Sequence, residues 1–181
     1  MIFVETELQG AYIVEPERWA DQRGFFARTW CQREFEAHAI CSNWVQSNIS
    51  FNNNKGTLRG MHYQAAPCEE AKLVRCTMGA TYDVIIDLRP ESLTFMKSTP
   101  VVLTAQNRRM LFVPEGCAHG FLTLEDNTEV FYQMSEFYAA EYARGVRWND
   151  PAFGIQWPVA VQIISDRDRN YLDFVTEDVK P

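Results

Sequence analysis

Hydrophobic and polar residues alternate in short stretches along the whole chain, and turn-forming residues separate these stretches. In residues 82–88, every second side chain from Tyr82 to Leu88 is hydrophobic. A period of two is typical of β-strands. The pattern predicts strands over residues 10–15, 25–30, 44–51, 57–62, 72–78, 82–88, 97–103, 110–113, 120–123, 129–135 and 161–164.

Helical periodicity is confined to two short segments. A helix is predicted over residues 31–39, where Phe35 and Ala39 lie one turn apart, and a second within residues 139–143. Many short strands with few helices indicate a mainly β fold, either a sandwich or a barrel. No repeat or linker interrupts the pattern, so we expect one domain over residues 1–181.

Two acidic residues interrupt the hydrophobic character of residues 82–88. Asp83 and Asp87 alternate with the hydrophobic side chains and therefore share the opposite face of the strand. A buried carboxylate without a partner is costly. The alternation therefore favours a solvent-exposed position for both carboxylates; if either points into the barrel, it requires a partner or a ligand.

Composition narrows the classes of function. The chain has 181 residues, 17 Lys and Arg against 24 Asp and Glu, and a net charge of −7. An acidic protein is unlike a dedicated nucleic-acid binder, although a few arginines can still hold a phosphate. The sequence contains neither a hydrophobic run long enough to span a membrane nor a secretory signal pattern, so we expect a cytoplasmic protein.

Cysteine and histidine usage gives no indication of a metal site. The five cysteines, including Cys41, form no C-x-x-C pair and are expected to be reduced. The common nucleotide-binding, hydrolase and zinc-protease motifs are absent. His62 is followed by Tyr63 and Gln64, so the H-x-H or H-x-D/E start of an iron oxygenase site is missing as well.

A series of motifs is much more specific. The segment GTLRGMHYQ at residues 56–64 resembles the signature of the dTDP-4-dehydrorhamnose 3,5-epimerase family. Further blocks follow the family order over roughly residues 10–170: DQRGFF at 21–26, VQSNIS at 45–50, KLVR at 72–75, DVIIDLR at 83–89, VPEGCAHGF at 113–121, WNDP at 148–151 and SDRD at 165–168.

This resemblance implies a fold, a reaction and a partner. The expected fold is a jelly-roll barrel (a cupin-like double-stranded β-helix) that forms a homodimer. The expected substrate is a nucleoside-diphospho-4-keto-6-deoxysugar on the route to dTDP-L-rhamnose and surface polysaccharide. The reaction inverts C3 and C5 by removing and returning protons beside the C4 ketone, and no metal or organic cofactor takes part.

Four residues match the catalytic positions of the family. His62 matches the base, and the unperturbed pKa of imidazole suits proton removal near neutral pH. Asp168 matches the carboxylate that orients this imidazole. Lys72 matches the cation near the sugar O4, where a positive charge favours an enolate. Tyr132 matches the acid that returns a proton from the opposite face.

Seven further residues match binding positions. Arg23 and Arg59 match the guanidinium groups that hold the diphosphate. The others match polar or aromatic positions around the nucleotide and sugar: Gln46, Asn48, His119, Phe121 and Tyr138. Arg59 and His62 are three residues apart and would face opposite sides of a regular strand. We therefore predict a bulge at Gly60, where an irregularity costs least.

The residues leave alternatives open. Within the enzyme class, the protein could invert only C3 or only C5, or act on a related nucleotide sugar. From other classes, it could be a metal-dependent cupin oxygenase with iron held by His62 and His119, or a jelly roll that binds a sugar without catalysis. Asp166 lies two residues from Asp168 and is the alternative partner for the imidazole.

Overall fold

The computed structural model describes residues 1–40 and 43–176, which form fourteen strands and two short helices. The strands are β1 Ile2–Glu5, β2 Tyr12–Glu15, β3 Arg18–Asp21, β4 Gly24–Ala27, β5 Gln46–Asn52, β6 Thr57–Gln64, β7 Lys72–Met78, β8 Ala80–Asp87, β9 Ser98–Thr104, β10 Met110–Val113, β11 Cys117–Thr123, β12 Thr128–Met134, β13 Ala143–Gly145 and β14 Ile163–Ile164. The helices are α1 Gln32–Glu36 and α2 Asp166–Arg169.

Two large sheets contain twelve of these strands. The first has the order β1-β2-β10-β7-β12-β5, and the second has the order β13-β6-β11-β8-β9, with β14 added beside β6. Neighbouring strands are antiparallel except for the β14–β6 pair. Inward-facing side chains of both sheets form one hydrophobic core, which includes Val74, Ile85, Leu111 and Val130. The chain thus has the mainly β jelly-roll architecture that the sequence predicts.

The outer face of each large sheet is also covered. Helix α1 inserts Phe35 into a cluster on the first sheet that contains Leu73 and Phe112. The segment that follows β13 covers the second sheet, where Phe153 and Phe174 pack in a cluster with the outward-facing side chains of β8. Both faces of β8 are therefore buried.

The burial of β8 corrects the expectation for its carboxylates. Asp83 and Asp87 are fully buried rather than exposed to solvent. Alternation alone could not show this, because it reports which residues share a face but not which face is covered. Each carboxylate has partners, as a buried charge requires: Asp83 contacts His119, and Asp87 contacts Arg89.

The predicted bulge at Gly60 is confirmed. On β11, His119 and Phe121 are two residues apart, whereas their partners on β6, His62 and Arg59, are three apart. Gly60 has φ +132°. Because directly opposed residues of an antiparallel pair share a face, His62 lies on the same side as His119 and Arg59 on the same side as Phe121. The extra residue thus turns two side chains with odd spacing towards one side of the sheet.

Some of the predicted strands and helices agree with the structure, and others do not. Strands β7 and β10 have the predicted bounds, whereas α1 ends before Ala39, which has φ +55°. The helix predicted within residues 139–143 is wrong, because the chain forms turns there and then enters β13. Within the described residues, no helix combines the length and the hydrophobicity needed to cross a membrane.

The described cysteines are free thiols, as expected. Burial raises the pKa of Cys76 and of Cys117 to about 12, which keeps both thiols protonated and unreactive near neutral pH. Cys41 lies outside the described residues.

The two-stranded sheet of β3 and β4 lies apart from the two large sheets. In this hairpin, Trp19 and Phe26 are directly opposed and stacked with ring centroids 5.9 Å apart. Both rings are largely exposed, whereas Phe25 is 43% exposed and its ring contacts the Arg108 guanidinium. The hairpin therefore presents an aromatic surface outside the hydrophobic core of its own chain.

Candidate active site

A cavity of about 880 Å³ opens between the two large sheets. One wall consists of side chains from β5, β7 and β12, and the other consists of side chains from β6 and β11, with α2 at its margin. Ten of the eleven predicted site residues line this cavity: Gln46, Asn48, Arg59, His62, Lys72, His119, Phe121, Tyr132, Tyr138 and Asp168.

The imidazole of His62 pairs with the carboxylate of Asp168. Nε2 lies 2.7 Å from Oδ1, and the two residues are 106 positions apart in the chain. The His62 side chain is 41% exposed and the Asp168 side chain only 5%. Because an ionised carboxylate only accepts hydrogen bonds, Nε2 carries the proton, and Nδ1 is the nitrogen left to take a proton from a ligand.

Asp168 is held in place by more than the imidazole. Its Oδ2 accepts a hydrogen bond from the Gly60 N–H at 3.2 Å, and its own N–H donates to the Ser165 hydroxyl, which caps α2. Burial alone would raise the pKa of Asp168, but the hydrogen bonds from His62, Gly60 and Ser165 lower it below its ordinary value. The Asp168 carboxylate is therefore ionised across the neutral pH range.

Tyr132 contributes a phenol from the opposite wall. It lies on β12 in the first sheet, whereas His62 lies on β6 in the second, and both line the cavity. The Tyr132 ring packs against the central core, and this burial raises the pKa of its hydroxyl above the ordinary value. The phenol remains protonated across the neutral range and can donate a proton.

Lys72 brings a buried ammonium to the same wall as Tyr132. Its Nζ donates to the backbone carbonyl of His62 at 3.2 Å and pairs with Oε1 of Glu70 at 2.7 Å. The side chains of Lys72 and Glu70 are 9% and 3% exposed. The position of this charge is thus fixed by contacts with two separate segments of the chain.

His119 forms a second imidazole–carboxylate pair beside the first. Its Nε2 lies 2.8 Å from Oδ1 of Asp83, whose other oxygen accepts from the Thr81 hydroxyl. Burial lowers the pKa of His119 despite the opposing effect of Asp83. A neutral imidazole that donates through Nε2 keeps Nδ1 as an acceptor, which suits a hydroxyl group of a ligand.

The rim of the cavity is polar. The Arg59 guanidinium is exposed, and its Nε donates to Oδ1 of Asn52 at 2.7 Å. Gln46 donates to Oδ1 of Asn48 at 3.1 Å and accepts from the Tyr138 N–H. This arrangement offers a cation and several amide groups at the opening.

Arg23 is the predicted site residue that the structure does not bring to this cavity. It follows β3 in the separate hairpin, its side chain is 86% exposed, and its guanidinium pairs with Asp21 at 2.6 Å. Arg23 therefore does not line the cavity of its own chain, and its role in holding the diphosphate stays a prediction. The motif match could not reveal this, because a motif gives the residue type but not the direction in which its hairpin extends.

Three charged residues that line the cavity are not among the predicted site residues: Glu70, Arg144 and Arg167. Arg167 lines the cavity, and its Nε donates to the Tyr171 hydroxyl at 2.8 Å. Glu70 lines it beside Lys72. Two of them carried a signal: Arg167 lies within the matched SDRD block, and Glu70 precedes Lys72 by two residues, the spacing that puts extended side chains on one face. Arg144 lies outside the matched blocks. The alternative carboxylate, Asp166, is exposed, so Asp168 is the partner of His62.

Among the residues that the structure describes, no group of three or more His, Cys, Asp and Glu side chains is arranged to hold a metal ion. His62 and His119 pair with two different carboxylates, Asp168 and Asp83. The ligand set that the oxygenase alternative requires is therefore not assembled in this part of the chain.

Taken together, the walls carry complementary chemistry. One wall presents an oriented imidazole that can accept a proton, and the facing wall presents a phenol that can donate one. A ligand held between them can lose a proton on one face and gain a proton on the other. The buried ammonium can stabilise negative charge that develops in the ligand between these two steps.

Known proteins are similar to this chain in both sequence and structure. The sequence model of the dTDP-4-dehydrorhamnose 3,5-epimerase family matches residues 5–175. A dTDP-4-dehydrorhamnose 3,5-epimerase of Shigella flexneri is 42% identical over 179 residues, which cover 98% of each protein.

Solved structures agree closely. An epimerase of the same name from Bacillus anthracis, crystallised with TDP and PPi, has a TM-score of 0.92 and 40% identity and covers 96% of this chain and 99% of its own. A dTDP-6-deoxy-D-glucose-3,5-epimerase from Legionella pneumophila, in complex with dTDP-4-keto-L-rhamnose, has a TM-score of 0.86 and 33% identity, with 92% and 89% of the two chains covered.

Proposed function

The chain belongs to the dTDP-4-dehydrorhamnose 3,5-epimerase family, and on that premise we propose that it is an isomerase that inverts C3 and C5 of dTDP-4-keto-6-deoxyglucose. The product is dTDP-4-keto-L-rhamnose. The reaction needs neither a metal nor an organic cofactor, because the adjacent ketone already makes each C–H bond acidic enough for a protein base.

His62 is the base in this proposal. Its Nδ1 takes the proton from the carbon beside the ketone, and the electron pair of the broken C–H bond moves into an enolate. The imidazolium that forms is stabilised by the ionised Asp168, 2.7 Å from Nε2. The proton then passes to solvent, to which the partly exposed His62 side chain has access.

Tyr132 is the acid. Inversion requires that the new C–H bond form on the face opposite to the one that lost its proton, so a single group on one wall is not sufficient. The phenol on the facing sheet gives its proton to the carbon and regains one from solvent. Lys72 stabilises the enolate oxygen at C4 between the two steps, a contribution that is typically on the order of 3 kcal/mol for one such donor.

Cations and amides at the rim are suited to the nucleotide. Arg59 and Arg167 line the cavity and offer planar guanidinium groups for the diphosphate. Tyr138, Gln46 and Asn48 lie nearby for the base and sugar, while His119 offers an acceptor for a sugar hydroxyl and Phe121 forms part of the inner wall.

We further propose that the enzyme is a homodimer in which the β3–β4 hairpin of each subunit extends to the cavity of the other. The exposed stack of Trp19 and Phe26 supports this, since such a surface is unfavourable in water and suits an interface. The same hairpin carries Arg23, which would then complete the diphosphate site. Light scattering tests this: Phe26→Glu should yield monomers with weakened substrate binding, and a monomeric wild type would contradict it.

The observation that carries the proposal is the pairing of His62 with Asp168 in a cavity whose opposite wall supplies Tyr132. The decisive experiment is incubation with dTDP-4-keto-6-deoxyglucose in D₂O, followed by NMR. We expect deuterium at both C3 and C5, and none with His62→Ala.

Each other outcome identifies an alternative. Label at one carbon indicates a mono-epimerase, and binding without label indicates a sugar-binding protein. Iron retained in stoichiometric amount by the purified protein would favour the oxygenase.

Cytoplasmic localisation stays a prediction.

A further inference from the structure

The ammonium of Lys72 has three N–H bonds, and the protein occupies two of them. One donates to the His62 carbonyl at 3.2 Å, and another is directed at Oε1 of Glu70 at 2.7 Å. An ammonium can rotate about its last carbon–nitrogen bond, so a single acceptor would leave its orientation open. Two acceptors, one on β6 and one in the loop before β7, fix it, and the third N–H bond is left for a ligand.

The surroundings of the Glu70 carboxylate are not those expected of an ion pair that serves only to stabilise the fold. The side chain is 3% exposed, yet its second oxygen, Oε2, is buried without a hydrogen-bond partner among the described residues. A buried carboxylate oxygen without a partner is rare and unfavourable, so its presence calls for an explanation other than stability.

The backbone around Glu70 is held firmly. The next residue, Ala71, donates to the Ser135 hydroxyl at 2.8 Å, and its carbonyl accepts from the Ser135 N–H at 3.0 Å. Further back in the loop, the Gln64 side chain donates to the Cys68 carbonyl at 2.8 Å. The Glu70 carboxylate is therefore presented to Lys72 from a fixed support and not from a freely moving loop.

We propose that Glu70 is a positioning residue of the epimerase: it holds the Lys72 ammonium so that its remaining N–H is directed at the ketone oxygen of the sugar. This inference rests on the proposed function, because it gives Lys72 the ketone as its ligand. Glu70 makes no contact with the substrate in this role and acts only through Lys72.

A double-mutant cycle tests the proposal by its effect on kcat. Glu70→Ala should lower kcat by about 10²-fold, the cost of a misplaced catalytic group, and leave KM little changed. Glu70→Gln keeps an oxygen for the ammonium and should lose no more than about tenfold. Lys72→Met should lose about 10²–10³-fold. The double variant Glu70→Ala/Lys72→Met should be no slower than Lys72→Met alone.

Controls separate positioning from a general effect on the fold. Glu69→Ala removes the neighbouring carboxylate, which does not line the cavity, and should retain the wild-type kcat. Urea unfolding and dTDP binding of every variant verify that the cavity is intact; if Glu70→Ala does not fold, Glu70→Leu takes its place in the cycle because its volume is similar.

The outcomes are distinct. Equal losses from the Glu70 substitution in the wild-type background and in the Lys72→Met background would overturn the proposal. A loss confined to KM or an equal loss in Glu69→Ala would overturn it as well. Absence of deuterium incorporation by the wild type would instead contradict the proposed function itself.

Discussion

The two nitrogens of the His62 imidazole have different surroundings, and this difference decides which of them can act. Nε2 is hydrogen-bonded to a buried carboxylate, so the proton is held on Nε2, and Nδ1 is the nitrogen that remains to accept a proton. In the proposed role of base, His62 therefore depends on Asp168 for its tautomer as much as for its charge.

Replacing Asp168 with Asn should prevent His62 from acting as a base while substrate binding is largely retained. An amide can donate to Nε2 and so move the proton to Nδ1, where it blocks proton removal. We expect kcat to fall by about 10²–10⁴-fold with a small change in KM, measured by steady-state kinetics. Asp166→Asn changes an exposed carboxylate two residues away and serves as the control; equal losses in both variants would contradict the role of Asp168.

Replacing Tyr132 with Phe should separate proton removal from inversion. The ring still packs against the core, but no phenolic proton is available to the facing side of the enolate. In D₂O we expect the production of inverted sugar to fall by about 10²–10⁴-fold, while deuterium still enters the recovered substrate by exchange through His62. NMR of substrate and product measures both rates; a parallel loss of exchange and inversion would argue against Tyr132 as the acid.

At the scale of elements, the bulge in β6 turns two residues of one motif towards the same cavity. It lets Arg59 and His62 face the same cavity, and it also directs the Gly60 N–H at Asp168. The strand passes very close to β11 here, since a Cβ on Gly60 would lie 2.5 Å from the Cα of Gly120. Glycine at both positions is therefore a steric requirement.

Gly60→Ala should destabilise the protein by at least about 2 kcal/mol, because the new Cβ meets backbone atoms that have no room to move and φ is unfavourable for alanine. Urea unfolding at equilibrium measures the change. Gly154→Ala is a suitable control, since Gly154 also has positive φ but meets nothing within 4 Å. Equal destabilisation of the two variants would show that the contact with Gly120 is unimportant.

The loop between β8 and β9 is organised by Asp87. Its two oxygens accept from the Arg89 guanidinium at 2.8 and 2.7 Å and from the hydroxyls of Ser92 and Thr94 at 2.6 and 2.7 Å. Burial opposes ionisation, but these hydrogen bonds prevail and lower the pKa of Asp87 to about 2.

This shift predicts an acid-dependent stability. A carboxylate with a lowered pKa in the folded state stabilises the fold above its unfolded pKa, near 3.8, and loses that contribution as the pH falls through about 2. The contribution is about 2 kcal/mol. Asp87→Asn should therefore be less stable than wild type at pH 7, and the difference should shrink towards pH 2 in urea unfolding. Glu91→Gln, in the same loop but exposed, is the control; a constant difference across pH would contradict the linkage.

Strands with a buried face were the easiest elements to predict from the sequence, and short or exposed elements were the hardest. Strand β7 alternates between the core and the outer cluster, and its bounds are as predicted. Strand β3 is exposed at every residue, so its sequence carries no alternation that a strand could be recognised by. Strand β13 has three residues and α2 has four, which is too short for any period.

At the scale of the whole molecule, the sheets share one core, and both chain halves contribute to it. Strands β1 and β2 join the first sheet beside β10, and β14 joins the second beside β6. We propose on this basis that the chain folds as one domain. Calorimetry should then show a single transition with equal calorimetric and van't Hoff enthalpies, coincident with the loss of tryptophan fluorescence; two transitions would contradict it.

Most residues of the site could be predicted from the sequence, but some of their positions and contacts could not. Motifs identified ten of the cavity-lining residues, because the chemistry of proton removal and return requires particular side chains. The position of Arg23 and the pairing of Lys72 with Glu70 depend on the path of a hairpin and on a loop contact. Neither leaves a periodic pattern in the sequence, so both needed the structure.

The long separation of His62 and Asp168 along the chain has a consequence during synthesis. As the polypeptide leaves the ribosome, both facing walls of the cavity are made before the short helix that carries the carboxylate. A chain that ends before α2 therefore contains the residues of both walls but lacks the carboxylate that sets the tautomer of the imidazole. On the proposed roles of His62 and Asp168, we expect turnover only from a polypeptide whose synthesis has passed this helix.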